Sequence, residues 1–434
     1  MLQYPKQTIT DGIQTVTYEQ LLSDAEQIGK SLKHEKYGLL FESDFDVAKA
    51  LLACLFAGKT AVLLSKKYGE AHTKRIIDTI HISHVISENG IHEIKETEDE
   101  KEDLSDVALI MCTSGTTGYP KGAMITNENL VTNLIDISKY FGITSSDHIL
   151  IARPLYHCAV LTGEFLISLI KGLKITFISN GFVPVEILKI AKEQHITVLC
   201  GTPTLFYHLS KLNLKSKNPL YLNTIAISGE CMTKIVADVI QRAFCGAKIY
   251  NVYGLTEASP RVAYLPPEEF ASHPLSVGYP LSSLTATIKE SELLVSGKSI
   301  MKGYYNDPIA TKRVKRDGWL HTGDIAEMDE RGRICIKCRK DNMIIRAGMN
   351  IYPQEIENAL KMDPAVIDVL AYGEKKTTVS EEIHIRIVTE LRKSEVYDIC
   401  KRLLPSYELP DVIEIVDEIP KNASGKVIRN VPKG

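Results

Sequence analysis

Short apolar runs of strand length alternate along this chain with stretches whose apolar residues recur at helical spacing. TYEQLLSDAEQIGKSL places Leu21, Leu22, Ala25, Ile28 and Leu32 on one helical face, and Thr17 with Gln20 reads as a capping box. YGLLFE follows as a strand, then an apolar helix ending at Gly58, then TAVLLS as a second strand. ALIMC, HILIA, KITFIS, TVLCG, TIAISG and KIYNVYG read as further strands, most of them separated by helical stretches. Repeated strand–helix–strand units favour parallel sheets, because each crossover helix must bury its apolar face against the sheet it crosses. There is no internal repeat and no low-complexity tract.

The pattern changes after Leu281. ATIKESELLVSG and GRICIKC read as adjacent strands of a small β-rich unit. Beyond Arg339 come a hairpin in NMIIRAGMNIY, a helix opening at Pro353, two more strands and a helix near Val396–Leu403. The expected fold class is therefore α/β: a large N-terminal domain of parallel-rich sheets with helices, a small β-rich subdomain, then a smaller α+β unit. The expected limits are residues 1–338 for the large domain, with a first subdomain about 1–106, a second at 107–280 and the β-rich part at 281–338.

Composition narrows the function. The 434 residues are 44% hydrophobic and 24% charged, ordinary for a globular chain, and the net charge of −3 gives no broad basic surface for nucleic acid. The acidic run EIKETEDEKED reads as a solvated loop. The nine cysteines are scattered, mostly in apolar runs, as buried thiols in a reducing compartment would be. Cys335 and Cys338 have CxxC spacing, but they lie in strand-like alternation with no second ligand pair nearby, so they read as structural. No signal peptide opens the sequence and no apolar run is long enough to span a bilayer, so a soluble, cytoplasmic protein is expected.

The candidate chemistry lies in CTSGTTGYPKGAMIT. It is not the P-loop of nucleotide triphosphatases, because Pro120 stands where the second glycine belongs and Gly122 follows the lysine. The backbone N–H groups around Gly115 and Gly118, the hydroxyls of Thr113, Ser114, Thr116 and Thr117, and Lys121 still suit a cradle for phosphate oxygens.

This loop resembles the phosphate loop of the adenylate-forming enzymes, the superfamily of acyl- and aryl-CoA synthetases, peptide-synthetase adenylation domains and firefly luciferase. Four further segments follow in that family's order: YGLTE (Tyr253–Glu257), TGD (Thr322–Asp324), RKDNMIIRAGMNIYPQEIE (Arg339–Glu357) and PKNASGK (Pro420–Lys426). The resemblance implies that Tyr253 stacks on adenine, Thr256 meets the α-phosphate, Glu257 helps hold Mg²⁺, Asp324 accepts the ribose hydroxyls and Arg339 reaches toward the ribose. It implies further ATP contacts at Gly229, Glu230, Asn251 and Gly254, and contacts to the acid at His157, Gly229 and Gly254. Lys426 is implied as the catalytic lysine, carried by a mobile lid at residues 342–434. The implied hinge is 339–341 with Asp341 as pivot, and Gly348 marks the thiol-acceptor loop.

The implied chemistry is coherent. A carboxylate attacking the α-phosphate of ATP is anion on anion, so the site must supply positive charge as pyrophosphate leaves. Lysine on a flexible stem suits delivery from a moving unit, and Mg²⁺ bridging phosphates needs few protein carboxylates. The chain is shorter than typical relatives ahead of Thr113, so a reduced first subdomain is expected. No acid lies between Ile151 and Gly163, where amino-acid-activating relatives place an Asp, so a neutral-bodied aliphatic or aromatic acid is expected. The expected cofactors are ATP and Mg²⁺, with CoA or phosphopantetheine as thiol acceptor. The leading reading is an acid–thiol ligase making an acyl-adenylate and then a thioester with CoA. One alternative loads an acyl or aryl carrier protein, and another is a non-catalytic nucleotide-binding protein of the same fold.

Overall fold

Two large sheets form the body of the protein in the computed structural model, which describes all residues except 1–2, 67–68, 96–101, 115–119, 179–182, 347–348, 376–380, 421–426 and 428–434. The nine-stranded sheet runs in the order Tyr279–Pro280, Arg261–Leu265, Lys248–Gly254, Thr224–Ile227, Val198–Gly201, His148–Ile151, Lys174–Phe177, Thr8–Thr10 and Thr15–Thr17. Its five middle strands are mutually parallel, with Thr8–Thr10 parallel to Lys174–Phe177. The strands Val198–Gly201 and Thr224–Ile227 are buried along their whole length, as strands covered on both faces must be. Helices such as Pro203–Leu214 and Lys234–Ala243 supply one cover, capped by Thr202 and Thr233.

The seven-stranded sheet runs Gly303–Tyr304, Pro120–Thr126, Val107–Ser114, Thr60–Leu63, Lys36–Leu39, His84–Ser87 and Gly90–Glu93. A subdomain boundary at residue 106 does not coincide with a sheet boundary. Val107–Ser114 and Pro120–Thr126 complete the seven-stranded sheet, while Thr8–Thr17 lies at the edge of the nine-stranded one. The cause is non-local: Tyr18 is fully buried and its hydroxyl donates to the carbonyl of Leu173, tying the first helix to the nine-stranded sheet. At that helix, Tyr18–Gly29, only half of the expected capping box forms. Thr17 Oγ1 accepts from Gln20 N at 3.2 Å, but the Gln20 amide reaches forward to Asp24 at 2.7 Å. A reciprocal box does form one sheet later, between Thr126 and Asn129.

The β-rich part is a five-stranded sheet. ATIKESELLVSG makes the hairpin Leu284–Lys289 with Glu292–Gly297, turning through Glu290 and Ser291, both at positive φ as a two-residue hairpin loop requires. The strand of GRICIKC is not its neighbour, as the sequence suggests. Trp319–Met328 lies between them and pairs with both. A 3₁₀ turn, Lys340–Asn342, then leads into the C-terminal unit. There the hairpin Ile344–Arg346 with Met349–Ile351, the helix Pro353–Leu360, the strands Asp368–Lys375 and Glu381–Val388, and the helix Lys393–Leu403 form as expected. A further strand, Val412–Ile415, adds in parallel. This unit has its own apolar core, built on Ile344, Ile356, Leu360, Ile383, Ile385, Val396 and Cys400. Among the described residues no helix is long and apolar enough to cross a membrane.

Candidate active site

The order of the nine-stranded sheet puts four chain-distant turns side by side. His148–Ile151, Val198–Gly201, Thr224–Ile227 and Lys248–Gly254 are parallel neighbours, so their carboxyl ends open on one edge. Beyond those ends lie Arg153–His157, Thr202, Ser228–Glu230 and Leu255–Glu257 respectively. In open α/β sheets that edge is where ligands bind.

Tyr253, Asp324 and Arg339, from three separate sequence motifs, meet there. The Tyr253 hydroxyl donates to Asp324 Oδ2 at 2.5 Å. TGD is part of the long strand Trp319–Met328 rather than a turn, and Asp324 stands opposite Arg339 in register. Arg339 Nη1 lies 3.4 Å from Asp324 Oδ1 and donates to the Thr322 carbonyl at 2.7 Å. Burial and the neighbouring Asp324 carboxylate push the Tyr253 phenol well above its ordinary range, so it is a neutral donor.

A second group joins the two large sheets. The Tyr304 hydroxyl donates to Glu257 Oε1 at 2.7 Å, and Lys121 Nζ sits 5.3 Å from the Tyr304 ring centroid. The Glu257 carbonyl accepts from Met301 N at 2.9 Å. Lys121 lies in register with Thr113 on the paired strands Pro120–Thr126 and Val107–Ser114, and Ser114 opposes Pro120 at their open end. Nothing in GYYND marks Tyr304 as a site residue; only the pairing of Gly303–Tyr304 with Met124 and Ala123 brings it to Glu257. Among the described residues no group of three His, Cys, Asp or Glu side chains could hold a metal. An ion held mainly by phosphate oxygens needs only one protein carboxylate, and Glu257 can be that ligand.

The remaining expected residues fall around this centre. Gly254 and Thr256 belong to a tight hairpin: a Cβ on Gly254 would lie 2.3 Å from the Pro260 carbonyl oxygen, which accepts from Leu255 N at 2.9 Å. Thr256 opens the 3₁₀ turn Thr256–Ala258. Gly229 is at φ 95°, a conformation that suits glycine. Glu230 accepts from Thr204 N and Oγ1 at 3.3 and 2.7 Å, so it is tied to the first turn of the neighbouring helix. Asn251 is buried and its amide donates to the Ser276 and Pro274 carbonyls at 2.8 and 3.3 Å, anchoring that loop. His157 packs against Tyr156, and its Nε2 is buried without a hydrogen-bond partner among the described residues. Burial, with Arg153 nearby, holds its pKa down at about 4, so the ring is neutral. Glu164 lies in a π-helical segment, Leu161–Leu166, fully buried and paired with Arg153. Asp341 is exposed in the connecting 3₁₀ turn. Arg346, in the RAG of the implied acceptor loop, is committed within the C-terminal unit to Leu409 O at 2.7 Å and Asp411 at 2.8 Å. Cys335 is half-buried and Cys338 buried on the same strand, consistent with a structural role. Gly115, Thr116, Thr117, Gly118, Gly348 and Lys426 lie outside the described residues.

Fold and site together define an adenylate-forming enzyme. The model of the AMP-binding enzyme family matches residues 88–305, and that of the AMP-binding enzyme C-terminal domain matches residues 355–426. The chain belongs to this family and is an AMP-forming acid–thiol ligase. It is 33% identical over 384 residues to a long-chain-fatty-acid–CoA ligase of Escherichia coli, covering 82% of this chain and 67% of that one. With a 2-succinylbenzoate–CoA ligase of Bacillus licheniformis it shares 28% identity over 98% of its own length and 96% of the relative's. The solved o-succinylbenzoate CoA synthetase from Bacillus subtilis, in complex with its acyl-adenylate intermediate, superposes with TM-score 0.86 at 26% identity, covering 99% and 96% of the two chains. A double mutant of that enzyme bound to a product analogue superposes with TM-score 0.69 over the same shares.

Proposed function

We propose that this enzyme activates a small carboxylic acid with ATP at the edge shared by the two large sheets, then passes the acyl group to CoA. The observation that carries the reading is the convergence of Tyr253, Asp324 and Arg339 on one side and Glu257, Tyr304 and Lys121 on the other. Asp324, with its partners exchanged for hydroxyls, is the acceptor for the ribose diol, and Arg339 stays beside it. Tyr253 offers the ring face for adenine. Thr113, Ser114, Gly115, Thr116, Thr117, Gly118, Lys121 and Thr256 receive the phosphates. Mg²⁺, when bound through Glu257, supplies charge to the phosphate oxygens.

The acid carboxylate enters past His157, whose neutral ring can turn a nitrogen to it without adding charge. Gly229, where a Cβ would meet only Thr202 at 3.7 Å, leaves room beside it, and Gly254 offers its backbone from a turn closed tightly on Pro260. Lys426 neutralises the charge that builds as the carboxylate oxygen bonds to the α-phosphorus and the bond to pyrophosphate breaks. We place the hinge at residues 339–341, with Asp341 as pivot and residues 342–434 as the lid that carries Lys426 away and brings Gly348 in for thioester formation. The test is pyrophosphate release, and then AMP and thioester yield, across a panel of carboxylic acids with CoA, free pantetheine or a phosphopantetheinylated carrier protein as acceptor. Acid-dependent pyrophosphate release with thioester only on CoA supports the proposal. Equal or better transfer to the carrier protein replaces the acceptor, and acid-independent ATP turnover rejects the activity.

A further inference from the structure

Behind His157 the chain buries more charge than it neutralises. Arg153 is 7% exposed and Glu164 fully buried, and the guanidinium meets a single carboxylate oxygen, Nε at 3.2 Å and Nη2 at 2.6 Å from Oε1. Glu164 Oε2 is buried with no partner among the described residues. A second guanidinium, Arg261, is 2% exposed, with its Nε buried and unpartnered. It makes no side-chain hydrogen bond or ion pair with any described residue. Among the described residues, two buried guanidiniums thus share one fully buried carboxylate, and only Arg153 contacts it directly, so Arg261 is buried without a hydrogen-bonded counter-ion, a costly arrangement.

The setting is built, not incidental. The Arg261 backbone is fixed on both sides by Asn133, which accepts from its N at 3.2 Å and donates to its O at 2.8 Å. The guanidinium then lies flat on Gly163, where a Cβ would stand 2.3 Å from Nη2 and 2.8 Å from Nε. Gly163 and Glu164 both belong to the π-helical segment Leu161–Leu166, an irregularity that recurs at functional sites. Arg261 acts electrostatically on Cys158, Cys200 and Glu164, and Cys158 also feels Glu257, so the guanidinium borders the proposed reaction centre.

We propose that Arg261 receives a second carboxylate on the substrate, so that the preferred acid is a dicarboxylic acid activated at one end. This rests on the acid-activating function proposed above, and it departs from the neutral-bodied acid the sequence suggests. Arg153 is a positioning residue: by engaging Glu164 Oε1 it holds that carboxylate out of a direct ion pair with Arg261. His157, with its unpartnered Nε2, stands at the other end, toward the carboxylate to be activated.

The experiment compares each diacid from malonate to adipate, and phthalate, with the monoacid of the same skeleton in pyrophosphate release. At least one diacid is expected to exceed its monoacid roughly tenfold or more in kcat/KM, as a carboxylate meeting a buried guanidinium should. In Arg261→Met the diacid-to-monoacid ratio should fall at least tenfold, and Arg261→Lys should recover part of it. A thermal shift without ATP reads the same subsite independently: the preferred diacid should raise the Tm of the wild type and not of Arg261→Met. Monoacids preferred throughout, or a ratio indifferent to Arg261, overturn the inference while leaving the ligase reading intact. If no acid supports pyrophosphate release but a diacid still raises Tm through Arg261, the subsite stands and the activity falls. Should Arg261→Met fail to fold, the ratio measured in Gly163→Ala, where the added methyl displaces the guanidinium, decides in the same way.

Discussion

Tyr304 shows how much one side chain outside every motif can govern. Its hydroxyl fixes one oxygen of Glu257, and in the function proposed above the other would meet Mg²⁺. Tyr304→Phe should raise the Mg²⁺ concentration for half-maximal pyrophosphate release about 3- to 10-fold, the equivalent of losing about 1 kcal/mol of orientation. A fall in the Mg²⁺ requirement would mean instead that Tyr304 competes with the metal. His157 makes a prediction in pH. Burial, reinforced by Arg153, lowers its folded pKa to about 4, below its unfolded value near 6.5. Between those values the unfolded chain binds more protons, so stability rises with pH and is lost as pH falls below about 6.5. His157→Gln should make the fall in Tm between pH 7 and pH 5 shallower, by an amount equivalent to about 2 kcal/mol at pH 5. An unchanged slope would place the titration elsewhere, His148 being the next such buried ring, also held at about 4 by burial.

The hairpin from Lys248–Gly254 to Arg261–Leu265 is the element on which the site hangs. Its register shifts between Tyr253 and Gly254, and the turn beyond carries Glu257. Gly254 faces the Pro260 carbonyl so closely that a methyl group cannot enter without moving backbone. Gly254→Ala should therefore cost about 1–3 kcal/mol of stability, read as a lower Tm, and should lower pyrophosphate exchange by more than that loss explains, because Tyr253 and Glu257 flank the distorted point. A variant as stable and active as the wild type would show that the turn yields easily. Hairpin geometry of this kind is hidden from hydrophobic periodicity: YGLTE reads as the end of a strand, and the reason for its glycine lies further along the chain, at Pro260.

At the scale of the molecule, the question is whether the C-terminal unit turns as one body. It packs on its own core, and the turn Lys340–Asn342 joins it to the body. Proline requires φ near −65°, which a 3₁₀ turn already supplies at its centre. Asp341→Pro should thus retain pyrophosphate exchange and lose thioester yield about tenfold or more, because the large φ/ψ change a hinge needs is blocked. Equal losses in both assays would indicate general damage, and equal survival would move the pivot away from Asp341.

Strand-like runs and helical faces are local signals, so the α/β body, the separate C-terminal unit and the hairpin Ile344–Ile351 can be read from spacing alone. The segments CTSGTTGYPKG, YGLTE and TGD stand out for a similar reason: each is a run of contiguous residues. What depends on pairing between distant segments is not. The sheet that owns Thr8–Thr17, the strand inserted between ATIKESELLVSG and GRICIKC, and the meeting of Tyr304 with Glu257 follow from strand order, which periodicity does not encode. Glu164 and Arg261 are the sharpest case. In sequence they are an acid on a helix and a base after a turn, far apart along the chain. Only the fold buries both behind His157 and leaves the arginine without a directly bonded carboxylate among the described residues, because burial and pairing are properties of the packed chain and not of the residues that enter it.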